Sequence, residues 1–317
     1  MKRDKTITKS AGIDVSKARL DVALAEGDAR LEAANGPEGF AGLIAWLESH
    51  EVGRVGLEAS GGYERAAATR LREAGFEVVV HQPAEVRAFA RFKRIRAKND
   101  RIDAKVIALA TAQTEAVRCA NDPRLVELAE RMTAYEQAAD RLAQMKTCLE
   151  HVTLEDLKAG LLAQIRLATA WKAQLLRDII VRIKAWPDLA RRYALLQSLP
   201  GCGIIVAACL VIRMPELGAL PHGKASSLIG VAPWDRDTGQ STGKRHISGG
   251  RGRPRRMLYI AALVASRFDP GWAAFVQRLR AAGKSPKVSL VALMRKLIEA
   301  ANLVLARGTP WVPNTAR

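Results

Sequence analysis

Residues 12–15, Gly12-Ile-Asp-Val15, followed closely by residues 18–24, Ala18-Arg-Leu-Asp-Val-Ala-Leu24, decide the fold. The two apolar runs with a tight connection between them read as a pair of strands. Outward from them the signals alternate. Gly39 to Ser49 has a helical apolar period, Val52 to Glu58 is another apolar strand, Tyr63 to Ala74 is helical, Phe76 to His81 is a strand and Ala84 to Phe92 returns to helix. A helix from Asp100 to Ala112 closes the block. Such alternation predicts an α/β layer domain over residues 1–115.

From Pro123 the pattern becomes that of long helices. Leu125, Leu128, Met132, Tyr135, Ala139 and Leu142 recur at three- and four-residue steps, and a second helix carries Leu161, Ile165, Leu175, Ile179 and Ile183 before Pro187 ends it. This predicts a helical, coiled-coil-like arm over residues 120–190. Its seam faces either its own protomer or another copy, and the period alone fits both. The last segment, residues 191–317, is mainly helical. There Pro200-Gly-Cys-Gly203 joins two short apolar helices in the manner of a helix-hairpin-helix element. In such an element Gly201 and Gly203 let backbone amides approach a phosphate; the alternative is a plain turn between core helices.

Composition narrows the function. The chain has 317 residues, 50 Lys and Arg against 32 Asp and Glu, and a net charge of +18, an excess that implies a polyanionic partner. No apolar run reaches the length of a membrane span, and the basic N-terminus runs directly into a strand pattern instead of a secretory signal, so a soluble cytoplasmic protein is expected. Cys119, Cys148, Cys202 and Cys209 form no CxxC pair, which excludes a zinc ribbon and predicts reduced, buried thiols. Aromatic residues are sparse and not interleaved with basic ones along the sequence, which argues against base stacking as the main activity.

Four acids carry the chemistry. Asp14 lies inside an apolar strand, where an unpaired carboxylate is costly to bury, and Glu58 ends a second strand just before Ala59-Ser-Gly-Gly62. Asp100 and Asp103 share one face of a helix start. A strand acid also serves by pairing with a lysine, and an acid in a first helical turn also serves as a cap. Four together on strand, strand and helix suit Mg²⁺ or Mn²⁺, which take hard oxygen ligands and support phosphoryl transfer. Around the helix start stand Arg87, Arg91, Lys93, Arg94, Arg96, Lys98, Arg101 and Lys105, read as a phosphate-holding surface with a solvated helix face as the alternative.

Gly12-Ile-Asp-Val-Ser-Lys17, Leu57-Glu-Ala-Ser-Gly-Gly-Tyr63 and Lys98-Asn-Asp-Arg-Ile-Asp-Ala-Lys105 resemble the acidic blocks of the IS110-type transposases. The N-terminal domain of that family is similar to the RuvC/RNase H-like resolvase fold, and its Asp, Glu, Asp, Asp set falls on Asp14, Glu58, Asp100 and Asp103. The resemblance implies a DNA recombinase acting on double-stranded donor and target DNA, as a homo-oligomer, directed by a structured noncoding RNA.

The resemblance also implies a second site. Residues 230–259 concentrate glycines, hydroxyls and basic side chains, including Lys244, Arg245, Arg251, Arg253, Arg255 and Arg256. Such a loop wraps phosphates with amides and guanidinium groups, or is simply a flexible basic loop. The family's nucleophilic serine falls on Thr238, in Asp237-Thr-Gly239, a departure because the threonine methyl crowds the attack. Ser241 and Ser248 are the other hydroxyls in reach. By register Thr238 ranks first, and by chemistry Ser241 ranks second. Rival readings are a junction-resolving nuclease, which needs no hydroxyl block; a Piv-type site-specific invertase, which shares both domains; and a non-catalytic nucleic-acid scaffold.

Overall fold

The computed structural model describes residues 9–95, 100–114, 122–235, 243 and 245–312; nothing of the side chains of residues 100 and 101 is described. The chain divides into two compact units, Met1–Cys119 and Ala120–Arg317.

In the first unit β1 (Lys9–Val15), β2 (Arg19–Leu24) and β3 (Arg30–Ala34) form an antiparallel meander, and β4 (Val52–Glu58) and β5 (Glu77–His81) add in parallel, giving the order β3-β2-β1-β4-β5. Ser16 closes the first turn, its amide donating to the Arg19 carbonyl at 2.9 Å and its hydroxyl accepting from the Arg19 amide at 3.0 Å. The third strand is absent from the sequence pattern because it is short and lies at the sheet edge, its half-buried face carrying only Leu31 and Ala33.

The two faces of the sheet are covered differently. Ile13, Val55 and Leu57 pack into one core with Phe40, Leu43 and Leu47 of α1 (Pro37–Ser49) and Leu71 of α2 (Glu64–Glu73). Residues of the opposite parity, Gly12 and Gly56, face α4 (Asp100–Gln113). A β-carbon on Gly12 would run into the backbone of Ala104 and Ala108, and one on Gly56 into the Thr111 hydroxyl. The absent side chains therefore let α4 lie directly on the strands. His81 Nε2 and Thr111 Oγ1, 2.8 Å apart, fasten the far end of the same helix. Burial holds the His81 imidazole below its usual pKa, so the ring is neutral at neutral pH. Val106 and Ile107 on the flank of α4 meet Val86 of α3 (Pro83–Phe92).

The second unit is almost wholly helical: α5 (Pro123–Leu149), α6 (Glu155–Ala185), α7 (Pro187–Gln197), α8 (Ile204–Arg213), α9 (Lys224–Ile229), α10 (Gly252–Phe268), α11 (Pro270–Ala281) and α12 (Pro286–Arg307), with a small β6 (Pro233–Trp234) and β7 (His246–Ile247) pair. Proline stands in the first turn of α5, α7, α11 and α12, where its missing N–H costs no intrahelical bond. Pro187 thus both ends one helix and begins the next. The centre is α8, buried from Val206 to Ile212.

α5 and α6 form an antiparallel hairpin whose base belongs to this core: Leu128, Met132, Tyr135, Ile179 and Ile183 cluster with Leu196, Leu210, Leu258 and Leu293. Between Leu142 and Ile179 no side chain is fully buried, and Leu154, Leu157, Leu167 and Trp171 stand exposed. The periodic stripe therefore serves two environments, an intramolecular core at the base and an uncovered surface beyond it.

Pro200 to Gly203 joins α7 to α8 as a short turn. Gly201, at φ 81°, lies against α10, where a β-carbon would strike the Ala261 carbonyl, so packing explains that glycine; Gly203 is exposed at the start of α8. Cys202 and Cys209 are buried and their thiols pushed up to about 12, but Cys148 is exposed, which corrects the expectation of uniformly buried cysteines. Cys119 lies outside the described residues. Among the described residues no helix is long and apolar enough to cross a membrane.

Candidate active site

The parallel register of β1 and β4 pairs Gly12 with Gly56 and Ile13 with Leu57. One residue further along, Asp14 and Glu58 stand side by side at the strand ends, on the face that the glycines turn toward α4. Both are half-buried. α4 begins at Asp100, as the sequence predicts, and Asp103 lies one turn before the buried Ile107. The sheet thus contributes two of the four predicted acids and the first turn of α4 the other two. Among the described residues no three His, Cys, Asp or Glu side chains are gathered closely enough to hold a metal ion; the Asp100 side chain is outside that set.

A fifth acid was missed from the sequence. Asp21 stands directly across β1 and β2 from Asp14, is 6% exposed, and accepts a 2.9 Å bond from Arg19 Nε. Its signal was available: Asp21 is the single charge within Leu20–Leu24, as Asp14 is within Gly12–Val15. The antiparallel register that makes them neighbours is not.

Of the basic residues near the acids, Arg87, Arg91, Lys93 and Arg94 are exposed along α3 and its end. Lys93 Nζ lies 5.6 Å from the Phe89 ring and 5.9 Å from that of Phe92. Lys105 is otherwise engaged, donating to the carbonyls of Leu24 (2.9 Å) and Gly27 (2.7 Å). Arg96 and Lys98 lie outside the described residues.

Thr238, Ser241 and Lys244 also lie outside the described residues, and the residues on either side of them pair. Pro233 and Trp234 pair with Ile247 and His246, and Asp235 meets Arg245 at 2.5 Å across the neck. Gly230 and Gly250 pack backbone to backbone, each at positive φ, a contact any β-carbon would break. Arg255 donates to the carbonyls of Gly230 (3.1 Å) and Gly249 (2.5 Å). Arg251 holds Glu216 at 2.6 and 2.8 Å and the Arg213 carbonyl at 2.7 Å. Burial alone would raise the Glu216 carboxyl, but the Arg251 bonds outweigh it and leave the group below its ordinary pKa. Arg253 meets the buried Glu136 at 2.5 Å, on a carboxylate also bonded by Arg213 at 3.0 Å. Stripping a buried charge of its partners costs about 3–5 kcal/mol, so these arginines are held in place. Arg256 reaches Asp140 at 3.4 Å, both exposed. The basic residues that flank the hydroxyl loop on its C-terminal side clamp it to the helical core.

A mixed sheet with carboxylates at the ends of adjacent parallel strands, followed by a helical unit rich in basic residues, accords with a DNA-recombining enzyme. The family comparison agrees: residues 11–155 match the DEDD model of IS110 elements, described as Transposase, and residues 193–277 match the model described as Transposase IS116/IS110/IS902 family. The chain belongs to the IS110-type transposases. It is similar to the pilin gene-inverting proteins of Moraxella bovis and Moraxella lacunata, each 25% identical over 315 residues, covering 95% of this chain and 96% of the relative. It also resembles the insertion element IS110 uncharacterized 43.6 kDa protein of Streptomyces coelicolor, 29% identical over 116 residues, or 36% of this chain and 29% of that one.

Proposed function

We propose that this protein cuts and rejoins double-stranded DNA through two cooperating sites, with Asp14, Glu58, Asp100 and Asp103 as the acidic set and Thr238 as the nucleophile. The observation that carries the reading is the placement of Asp14 and Glu58 at the ends of adjacent parallel strands on the face covered by α4, whose first turn bears the other two acids. Such hard oxygen donors fit Mg²⁺ or Mn²⁺, which when bound supplies charge neutralisation at the phosphate being exchanged. Exposed Arg87, Arg91, Lys93 and Arg94, with Arg96 and Lys98 in the same run, hold the DNA backbone beside these acids. The exposed Gly203 amide region at the start of α8 offers a further phosphate contact of the helix-hairpin-helix kind, and Gly201 shapes the turn.

In the covalent step the Thr238 oxygen bonds to phosphorus as its proton passes to a base, and the phosphorus–oxygen bond to the leaving strand end breaks with protonation of that oxygen. Attack by a second strand's hydroxyl reverses the bond to threonine and rejoins the DNA. The phosphoester count is conserved, so no external energy source is needed. The clamp from Arg251, Arg253 and Arg255 fixes the base of the segment, and Lys244, Arg245 and Arg256 of the same stretch of sequence are its further candidate phosphate contacts. The family resemblance supports a structured noncoding RNA as guide. The exposed apolar face of the α5–α6 hairpin supports assembly into a dimer or tetramer.

The deciding experiment compares Asp14→Ala, Glu58→Ala, Asp100→Ala and Asp103→Ala with the wild type in a strand-exchange assay. Each variant is expected to bind nucleic acid and lose recombination, and Ca²⁺ is expected to support binding without turnover. Full recombination by any variant removes that residue from the set, and undiminished activity in a chelator overturns the metal. A second reading, site-specific inversion with the same chemistry, is favoured by likeness to the pilin gene-inverting proteins over nearly the whole chain. Supplying paired sites in direct and inverted orientation separates the two outcomes.

A further inference from the structure

The second unit brings together aromatic and basic side chains that are scattered in the sequence. Trp272 of α11 and Trp311, just beyond α12, stack with ring centroids 5.9 Å apart and planes at 22°, and Phe275 meets Trp272 edge-on at 6.3 Å. These rings line a cleft of about 870 Å³ with Arg278 and Lys296. Phe275 and Lys296 also border an adjoining recess of about 500 Å³ that reaches Arg295 and Pro233, the first residue of the hairpin bearing the hydroxyl loop.

The cleft carries two cations, Arg278 and Lys296, and two carboxylates, Asp269 and Glu299. Its two carboxylates are both committed to protein groups. Asp269 accepts from the Trp272 amide at 2.9 Å, and Glu299 accepts from the amides of Gly223 (3.1 Å) and Ser226 (3.0 Å) and from the Ser226 hydroxyl (2.6 Å). Arg278 and Lys296 instead lie 5.6 and 6.0 Å from the Phe275 ring centre, and neither makes an ion pair among the described residues. An apolar peptide would gain nothing from these cations. A polyanion whose bases can stack gains from both the rings and the charges.

We propose that this cleft binds an unpaired stretch of nucleic acid, stacking a base against the Trp272–Phe275–Trp311 cluster and holding the adjacent phosphate with Arg278 and Lys296. The inference rests on the reading of the chain as a nucleic-acid recombinase and adds a single-strand site within the second unit. Duplex DNA presents no free base face and does not fill it. Displaced DNA and the loops of an RNA share the required chemistry, and the probes below distinguish them.

The test uses the full chain with short single-stranded DNA and RNA probes carrying 5-iodouracil, and a fully paired DNA duplex carrying the same base. Irradiation is expected to join a single-stranded probe to Trp272, Phe275 or Trp311 and not the duplex; the probe that reacts, DNA or RNA, identifies the polymer. Arg278→Glu combined with Lys296→Glu, which leaves the aromatic cluster intact, is expected to weaken single-strand binding about tenfold or more while duplex binding persists. Crosslinks only outside the cleft, or wild-type single-strand affinity in the double variant, overturn the proposal. Wild-type affinity together with an altered oligomeric mass assigns the cleft to a contact between copies instead. Failure of the wild type to bind either single strands or duplex would overturn the recombinase reading itself.

Discussion

Asp14 and Asp21 face each other across the β1–β2 ladder, and Arg19 Nε donates to the Asp21 carboxylate at 2.9 Å. Two carboxylates side by side repel, and Arg19 offsets that repulsion from the Asp21 side. We expect Asp21→Asn to lower strand exchange by about tenfold without abolishing it, a change of about 1.4 kcal/mol in the barrier. Because Arg19 is half exposed, the stability cost should be only about 1 kcal/mol. Recombination rates and thermal midpoints of the variant check both; unaltered rates would restrict Asp21 to a structural role.

Gly12→Ala tests the seat of α4. A methyl group there meets helix backbone, which cannot rotate aside, so a destabilisation of at least about 1–3 kcal/mol is expected. Calorimetry should show loss of stability together with loss of strand exchange, although none of the four acids is changed. A wild-type midpoint and activity would mean that the helix shifts without cost.

The nucleophile is resolved by trapping the protein–DNA adduct under denaturing conditions. Thr238→Ala should lose the adduct, Thr238→Ser should keep or raise it because the crowding methyl is gone, and Ser241→Ala should have the smaller effect. Adduct retained in Thr238→Ala and lost in Ser241→Ala would transfer the role to Ser241. Loss in neither would point to Ser248 or to water.

The exposed end of the α5–α6 hairpin should control assembly. Leu167→Glu with Trp171→Glu alters residues that are 73% and 49% exposed, so the fold of one copy should survive. Light scattering should show a dimer or tetramer for the wild type and a smaller species for the variant. A monodisperse wild-type monomer, free and bound to nucleic acid, would refute the arm as an assembly surface.

Acid should loosen the loop clamp. The Glu216 carboxyl is held below its ordinary value of 4.5, so the folded state binds its proton less tightly than the unfolded state does. The Glu216–Arg251 contribution is therefore fully present above pH 4.5 and is lost as pH falls through the depressed folded value. Glu216→Gln should be less stable than the wild type at neutral pH, and the gap in thermal midpoint should close as acid is added below that point. A gap independent of pH would show that the ion pair contributes nothing.

The placement of Asp14 and Glu58 on strands and of Asp100 and Asp103 at a helix start was legible in the sequence because each breaks a local pattern: a charge in an apolar strand, a charge at a strand end, a paired charge at a helix start. Local periodicity also determined the α/β character of residues 1–115, the long helices after Pro123 and the turn at Pro200. β3 escaped because its five residues put only Leu31 and Ala33 on the inward face, too short an alternation to stand out. Tertiary structure alone decided that Asp21 neighbours Asp14, that Gly12 and Gly56 admit α4, and that Arg251, Arg253 and Arg255 clamp a loop. Each depends on groups that strand register or helix packing brings together from separate segments, and no local period records such a pairing. The same holds for Trp272, Phe275 and Trp311: in sequence they look too few and too scattered to stack with bases, and only the packing of α11, α12 and the stretch that follows gathers them beside two cations.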